Sequence, residues 1–252
     1  MKPMLVVAVA FLLRPLPCLA QQGPPPPWAA NPERPTVATH AYTVAPGYAE
    51  LEQGVRAFGL RKFTEFTAWD VNLKIGLEPG LQLGLFGLPY ARSGAGGGMG
   101  DVGVALKFSH ELSSKAAVAI VPAVTVPTGD NSRGLGAGRT LGSLVGVFSA
   151  DLSGGGAVHF DANAGPMGIG AGTPLWFTSI GLSFGGSVAV ATELFDVTSG
   201  AVAPRQRGFL AALMVTASPS VVLDLGGVRG LVAGTPHQVF VGLTTNLGAI
   251  FK

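Results

Sequence analysis

The sequence predicts an all-β chain, a transmembrane antiparallel up-and-down β-barrel of about 12 strands, and three observations carry that prediction. The first is composition. Of 252 residues 38 are glycine; hydrophobic residues make up 48% and charged ones only 12%, with a net charge of +2 and a mean hydropathy of +0.45. Soluble domains carry roughly twice that share of charge, so neither a disordered chain nor a fully water-exposed surface fits. The second is a period of two, with charges gathered on one parity. The third is the length of the apolar runs, about ten residues, which suits a tilted membrane strand.

The alternation shows best in the charges. In Asp70-Val71-Asn72-Leu73-Lys74-Ile75-Gly76-Leu77, polar residues or glycine hold the even positions and aliphatics the odd ones. Asp101 to Phe108 repeats the pattern, with Lys107 on the Asp101 parity. Glu50, Glu52, Gly54 and Arg56 oppose Leu51, Val55 and Ala57; His159, Asp161 and Asn163 oppose Val158, Phe160 and Ala162. Glu193 opposes Val190 and Leu194, and Asp224 opposes Leu223 and Leu225. That is strand periodicity. A soluble sandwich alternates too, but here the non-apolar face is mostly Gly, Ala, Ser, Thr and Asn, too bare for water. From Ala162 to Thr192 no residue is charged, and Gly165-Pro166, Gly168, Gly170, Gly172, Pro174 and Gly185-Gly186 within that gap exclude a membrane helix.

In chain order the strands are expected near 48–58, 63–77, 81–90, 100–108, 116–127, 140–150, 157–165, 174–184, 187–195, 208–217, 221–229 and 238–251. Alternate connections are compact: Glu78-Pro79-Gly80, His110 to Lys115, Asp151 to Gly156, Gly185-Gly186 and Ser218-Pro219-Ser220. Most of the others, 91–99, 128–139, 166–173, 196–207 and 230–237, are longer and glycine-rich; 59–62 is short. Short periplasmic turns and long outer loops are the asymmetry of bacterial barrels. Segments 140–150 and 208–217 are apolar on both parities (Leu144 with Phe148, Leu210 with Met214), which leaves their register open. Phe148 and Met214 are read as inward apolar residues.

Closure explains the charge pattern. Hydrocarbon offers no hydrogen-bond partner, so the backbone must pair within the protein, and a closed sheet has no free edge. A Lys or Arg on the lipid face near mid-bilayer costs about 2–4 kcal/mol. The lumen-lining candidates are therefore Glu50, Glu52, Arg56, Asp70, Lys74, Asp101, Lys107, His159, Asp161, Glu193 and Asp224. They form either a channel wall that screens solutes or an internal salt-bridge network filling a narrow barrel.

Ahead of the barrel, Lys2, the apolar run Met4 to Leu13 and Cys18-Leu19-Ala20 form a signal peptide over 1–20, cleaved before Gln21. Cys18 is the sole cysteine and Pro17 before it is a poor lipobox residue, so lipid attachment is the lesser reading beside a discarded leader. The mature chain then has neither disulfide nor thiol chemistry. Residues 21–47, with Pro24 to Pro27, Pro32, Pro35 and Pro46, favour extended polyproline conformation. They are a periplasmic tail or a plug folded back into the lumen.

Thr43-Val44-Ala45-Pro46-Gly47, Gly76 to Tyr90, "GMGDVGVALKF" at 98–108, "VPTGDNSRGLGAG" at 126–138 and "LDLGGVRGL" at 223–231, in that order and spacing, resemble one family. It is the group of outer-membrane barrels labelled as transporters of the meta-pathway of phenol degradation. The resemblance runs from about Thr43 to Phe251 and implies a barrel with a role in uptake of aromatic or other hydrophobic compounds. One departure is at the end, where Phe251 is followed by Lys252 although such barrels finish on an aromatic.

Other chemistry is poorly supported. Gly98-Met99-Gly100-Asp101-Val102-Gly103 matches a dinucleotide fingerprint but precedes a strand rather than a helix. Phosphate loop and zinc pair are missing from the sequence, so neither a cofactor nor a metal is expected and an enzyme is disfavoured. Nothing forms the basic face that nucleic acid needs. Arg61, Lys62, Arg92, Arg133, Arg139, Arg205, Arg207 and Arg229 fall in or beside outer loops, with Asp130 nearly the only acid among them. Arginine suits phosphate, so lipopolysaccharide is an expected partner beside membrane lipid and a small solute. Two function classes stay open: a passive channel or transporter for small, hydrophobic or aromatic solutes, and a non-transporting structural or surface-binding barrel. Oligomeric state leaves no signal in the sequence.

Overall fold

The computed structural model describes residues 26–60, 65–152 and 157–251. The expected leader at 1–20, Arg61, Lys62 and Lys252 lie outside the described residues.

The chain is a sheet of β1 (Tyr48–Gly59), β2 (Phe66–Glu78), β3 (Leu81–Ser93), β4 (Gly96–Gly98), β5 (Val102–Ser113), β6 (Ala116–Val126), β7 (Leu141–Asp151), β8 (Val158–Ile169), β9 (Leu175–Gly185), β10 (Val188–Val197), β11 (Gln206–Ser218), β12 (Val221–Gly230) and β13 (His237–Ala249). Successive strands pair antiparallel, and β1 pairs with both β2 and β13, so the ring closes. β4 is a short arm folded back on the tip of β3, and β5 takes its place beside β3 in the ring. The wall is therefore a closed barrel of 12 strands with one extra strand. Among the described residues no helix is long and apolar enough to cross a membrane.

Two-residue periodicity sets the two faces. Outward positions carry large apolar side chains such as Leu85, Val104, Ile180, Leu194, Leu213, Leu225 and Val241, all exposed. Inward positions carry Glu50, Glu52, Lys74, Lys107, Glu193 and Asp224, all buried. Such an inversion, carbon outside and charge inside, is stable only if the outer face meets hydrocarbon. Ile180→Arg, at the middle of β9, is accordingly expected to cost about 2–4 kcal/mol. Equilibrium folding into phospholipid vesicles measures it; an unchanged folding free energy would put Ile180 out of contact with lipid.

Three differences from the sequence expectation have local causes. β8 runs on to Ile169 through Gly165-Pro166, which had looked like loop. Pro166 pairs with Trp176 of β9, while on the β7 side the ladder skips between Gly146/Ala164 and Ser143/Met167, where a missing N–H costs nothing. The glycine run in 91–99 forms the β3–β4 hairpin instead of an open loop. In β7, Phe148 is not inward: it is 37% exposed on the outer face, and Val147 and Ser149, at 4% and 0%, face the lumen. Met214 does share the inward parity of Leu210, which is 1% exposed.

The short connections lie together at one end of the barrel, here the turn end. The longer ones, including the one-turn 3-10 helix Asn131–Arg133, lie at the loop end. Ser132 donates to the Asp130 carboxylate from its hydroxyl and its N–H, which holds that carboxyl below the usual range.

Candidate functional site: the lumen and the segment before the first strand

A proline-rich chain cannot join a ladder, so its N–H groups need other partners. In residues 26–47 many of those partners are lumen side chains. At the turn end Ala30 donates to the Pro219 carbonyl (2.8 Å) and Asn246 donates through Nδ2 to the Ala29 carbonyl (3.2 Å). The Asn31 and Glu33 N–H groups donate to the Glu50 and Glu52 carboxylates, each at 2.6 Å. Arg34 then pairs with Asp224 (3.2 Å), and Val37 and Ala38 donate to Glu193 (2.6 and 3.1 Å). From this mid-barrel apex the segment returns. Asn163 donates to the Thr39 carbonyl (3.0 Å), Ala41 donates to Ser149 Oγ (2.7 Å) and Val44 to Gln82 Oε1 (2.8 Å), before Pro46 bridges to Gly76. Two wall glycines give Arg34 its room, since a Cβ at Gly54 or Gly242 would collide with the guanidinium.

Charge is compensated deep in this assembly. Lys74 Nζ lies 2.6 Å from Glu50 and 2.8 Å from Glu52 and donates to the Asn31 carbonyl at 2.7 Å. Lys74 and Glu50 are wholly unexposed and Glu52 nearly so. Lys107 reaches across to Glu33 (2.5 Å) and donates to the His40 carbonyl and the Thr39 hydroxyl (2.7 Å each). Burying such ions is tolerable only with this degree of pairing.

The remaining candidates sit elsewhere on the wall. Arg56 and Asp70 pair at 2.9 Å nearer the loop end. Asp101, just before β5, accepts the Gly129 and Ala137 N–H groups (2.9 and 2.7 Å) and so pins the loop over 127–140. His159 lies between Asp151 (2.8 Å) and Asp161 (3.2 Å). Ser149 donates to Asp161 and not to His159, so these two do not form the nucleophile–base contact of a triad. Among the described residues no group of His, Cys, Asp or Glu has the arrangement of a metal site.

Two adjoining cavities lie on the loop side of the segment and share Arg34, Glu52 and Asn72. One, of about 350 Å³, has Thr36 and Val37 in its floor and Ser143, Val145, Met167 and Phe177 in its walls. The other, of about 330 Å³, is lined by Arg56, Asp70, Asp101, Phe86 and Leu88. Toward the loop end Leu135, from the pinned loop, is buried against Ala68 and Ala91 and packs with Phe66 and Leu88. Beside the first cavity, Phe177, Phe195, Leu210, Val228 and Phe240 cluster around Ala38, so this part of the interior is apolar.

Sequence reasoning missed Glu33, Arg34, Gln82 and Ser149. Glu33-Arg34 is the only acid–base pair in 21–47, a signal in an otherwise uncharged proline-rich stretch. The uncharged wall residues carry no comparable mark. It also missed Asp196, an outer-face acid at the loop end of β10 that binds both Arg205 (2.7 Å) and Arg207. Asp130 is thus not nearly alone among the basic loop residues.

No family model and no curated protein matches the chain. Solved structures do. A KdgM porin in complex with disordered oligogalacturonate aligns with TM-score 0.59 and 5% identity, over 78% of this chain and 98% of that one. KdgM porin alone gives 0.56 and 6% over the same shares. The COG4313 outer membrane channel from Pseudomonas putida F1 gives 0.61 and 12%, over 84% of this chain and 100% of that one. At these identities the likeness is one of fold, a closed barrel of the kind found in outer-membrane channels.

Proposed function

We propose that the chain is a bacterial outer-membrane β-barrel acting as a passive channel or transporter for small, hydrophobic or aromatic solutes, with residues 26–47 as a plug. The carrying observation is the 350 Å³ chamber, floored by the plug and walled largely by carbon (Val121, Val145, Met167, Phe177 and Val197). Its size lies within the roughly 300–1,000 Å³ range of small-molecule sites. Outward apolar strands, the leader expected at 1–20 and the channel-like fold support the location, with turns periplasmic and loops outside. Glu50, Glu52, Arg56, Asp70, Lys74, Asp101, Lys107, His159, Asp161, Glu193 and Asp224 then line the lumen. Glu50, Glu52, Lys74, Lys107, Glu193 and Asp224 anchor the plug, while Arg56, Asp70 and Asp101 face the adjoining 330 Å³ cavity. The resemblance to the phenol-degradation transporters favours aromatic solutes. Arg205, Arg207 and Arg229 at the outer rim suit lipopolysaccharide phosphate.

The extent of plug contact also favours a second reading, a structural or surface-binding barrel that passes nothing. Reconstitution separates the two. In vesicles with a lipopolysaccharide outer leaflet, the protein is expected to speed entry of an aromatic dye such as N-phenyl-1-naphthylamine, with little swelling in sugars. Dye entry equal to that of protein-free vesicles would leave the structural reading.

A further inference from the structure

Toward the loop end of β10 and β11 the outer face stops being carbon. The outward parity of β10 runs Val190, Thr192, Leu194, Asp196, and that of β11 Leu213, Ala211, Phe209, Arg207, so acid and base follow directly on the apolar band. The ladders set Asp196 opposite Arg207, and Phe209 opposite Arg229 of β12. Arg207 lies two residues along β11 from Phe209, diagonal to Arg229 and roughly 7–8 Å from it by sheet geometry. On β9 Trp176 is exposed one outward position beyond Thr178. It marks the level of the aromatic girdle, where headgroups and not acyl chains surround a barrel.

One acid serves three bases here. Arg205, just before β11, donates to both Asp196 carboxylate oxygens (3.2 and 2.7 Å), and Arg207 donates to one of them through Nε (2.8 Å) and Nη2. Nη1 of each arginine is unengaged among the described residues, and both side chains are half exposed. Arg229 is exposed on the same face and has no ionic or hydrogen-bonded partner among the described residues. Three guanidinia against one carboxylate leave two positive charges over. On a lipid-facing parity that excess calls for an anion from outside the chain. A groove of about 460 Å³ adjoins the cluster on the outer face, walled by Thr178, Ile180, Leu194 and Phe195, with Asp196 and Arg207 at its loop end. One end of the groove is therefore charged and the other is carbon.

We infer that the groove and the three arginines form a binding site for one phosphorylated, acylated lipid of the outer leaflet, with the chemistry of lipid A. The inference rests on the outer-membrane reading above and narrows its lipopolysaccharide contact to one place on the wall. Arg207 and Arg229 take the phosphate, since a planar guanidinium matches its oxygens two at a time. Asp196 holds Arg205 and Arg207 in position for that contact, and one acyl chain lies over Ile180 and Leu194. Charge selects a phosphate-bearing lipid over an uncharged one, and the carbon end of the groove selects a lipid over free phosphate.

Native mass spectrometry of the purified protein in detergent micelles, titrated with lipid A, tests it. One lipid A is expected to stay on each barrel, and its dephosphorylated form to be lost. Arg207→Gln with Arg229→Gln is expected to weaken retention about tenfold or more, since each arginine supplies charged hydrogen bonds. Arg92→Gln with Arg139→Gln, at exposed loop-end positions away from the groove, is expected to leave it unchanged. Leu194→Trp, filling the carbon end of the groove and sparing the arginines, should weaken lipid A as well. Equal loss from both arginine pairs would overturn the site in favour of a general attraction between a basic rim and an anionic lipid. Equal retention of the dephosphorylated form, or full retention by Leu194→Trp, would overturn it too. No lipid A on an unmodified protein that inserts into phospholipid vesicles would overturn the site and leave the outer-membrane reading intact. Failure of the unmodified protein to insert would overturn both.

Discussion

Deleting residues 21–45 is expected to convert a narrow, low-conductance barrel into an open, cation-preferring pore. The segment fills the lumen from the turn end to mid-depth, and its removal takes away the donors that Asn31, Glu33, Val37, Ala38, Ala41 and Val44 supply to the wall. Water then replaces them. The vacated wall displays Glu50, Glu52, Glu193 and Asp224 against Lys74 and Lys107, with Arg34 gone, and a net-acidic ring favours cations. Single-channel recording in planar bilayers reads both properties. A severalfold rise in conductance with a reversal potential displaced toward that of the cation is the expected result. Conductance equal to that of the full chain would show that residues 26–47 do not limit passage.

The second large effect concerns Lys74. Its ammonium neutralises two carboxylates at a site closed to water, so Lys74→Met keeps the volume and leaves Glu50 and Glu52 buried without their counter-ion. Removing one member of a buried ion network costs about 3–5 kcal/mol, far more than the intact network contributes over an apolar replacement. Urea unfolding in detergent micelles or lipid is expected to show that loss. Adding Glu50→Gln and Glu52→Gln should recover most of it, because the cost lies in the stranded charges. In the tail-deleted protein the same substitution should cost much less, since water reaches the carboxylates. Equal cost in both backgrounds would mean that the segment does not keep water from Lys74.

Legibility in the sequence followed how uneven the two faces of each strand are. In β1 and β2 every lumen position near Glu50, Glu52 and Lys74 is polar or glycine and every lipid position but Gln53 is apolar, so parity alone assigns the faces. In β7 both parities carry apolar residues, and Val145 and Val147 beside Ser143 and Ser149 leave only a weak contrast with the face of Leu144 and Phe148. The structure settles it through a long-range bond, Ser149 Oγ accepting the Ala41 N–H, which no local pattern encodes. The same limit hid the destination of the proline-rich segment. Its composition excludes a ladder, but Val37 meets Glu193 across 156 residues of sequence. Pro166 misled in the opposite direction, because a proline stops a strand only where its N–H is needed, and the β7–β8 ladder skips there.

Neighbouring positions Ser143 and Leu144 test most directly the claim that lipid surrounds a closed sheet with charge and plug inside. Ser143 borders the lumen chamber, and Leu144 is exposed on the outer face. Each is replaced by cysteine in a chain whose Cys18 is removed with the leader, and labelled with bimane in vesicles containing brominated lipid. The account predicts strong quenching at 144 and little at 143, where a water-soluble quencher acts instead once residues 21–45 are deleted. Equal lipid quenching at both positions, or quenching at 143 alone, would contradict it.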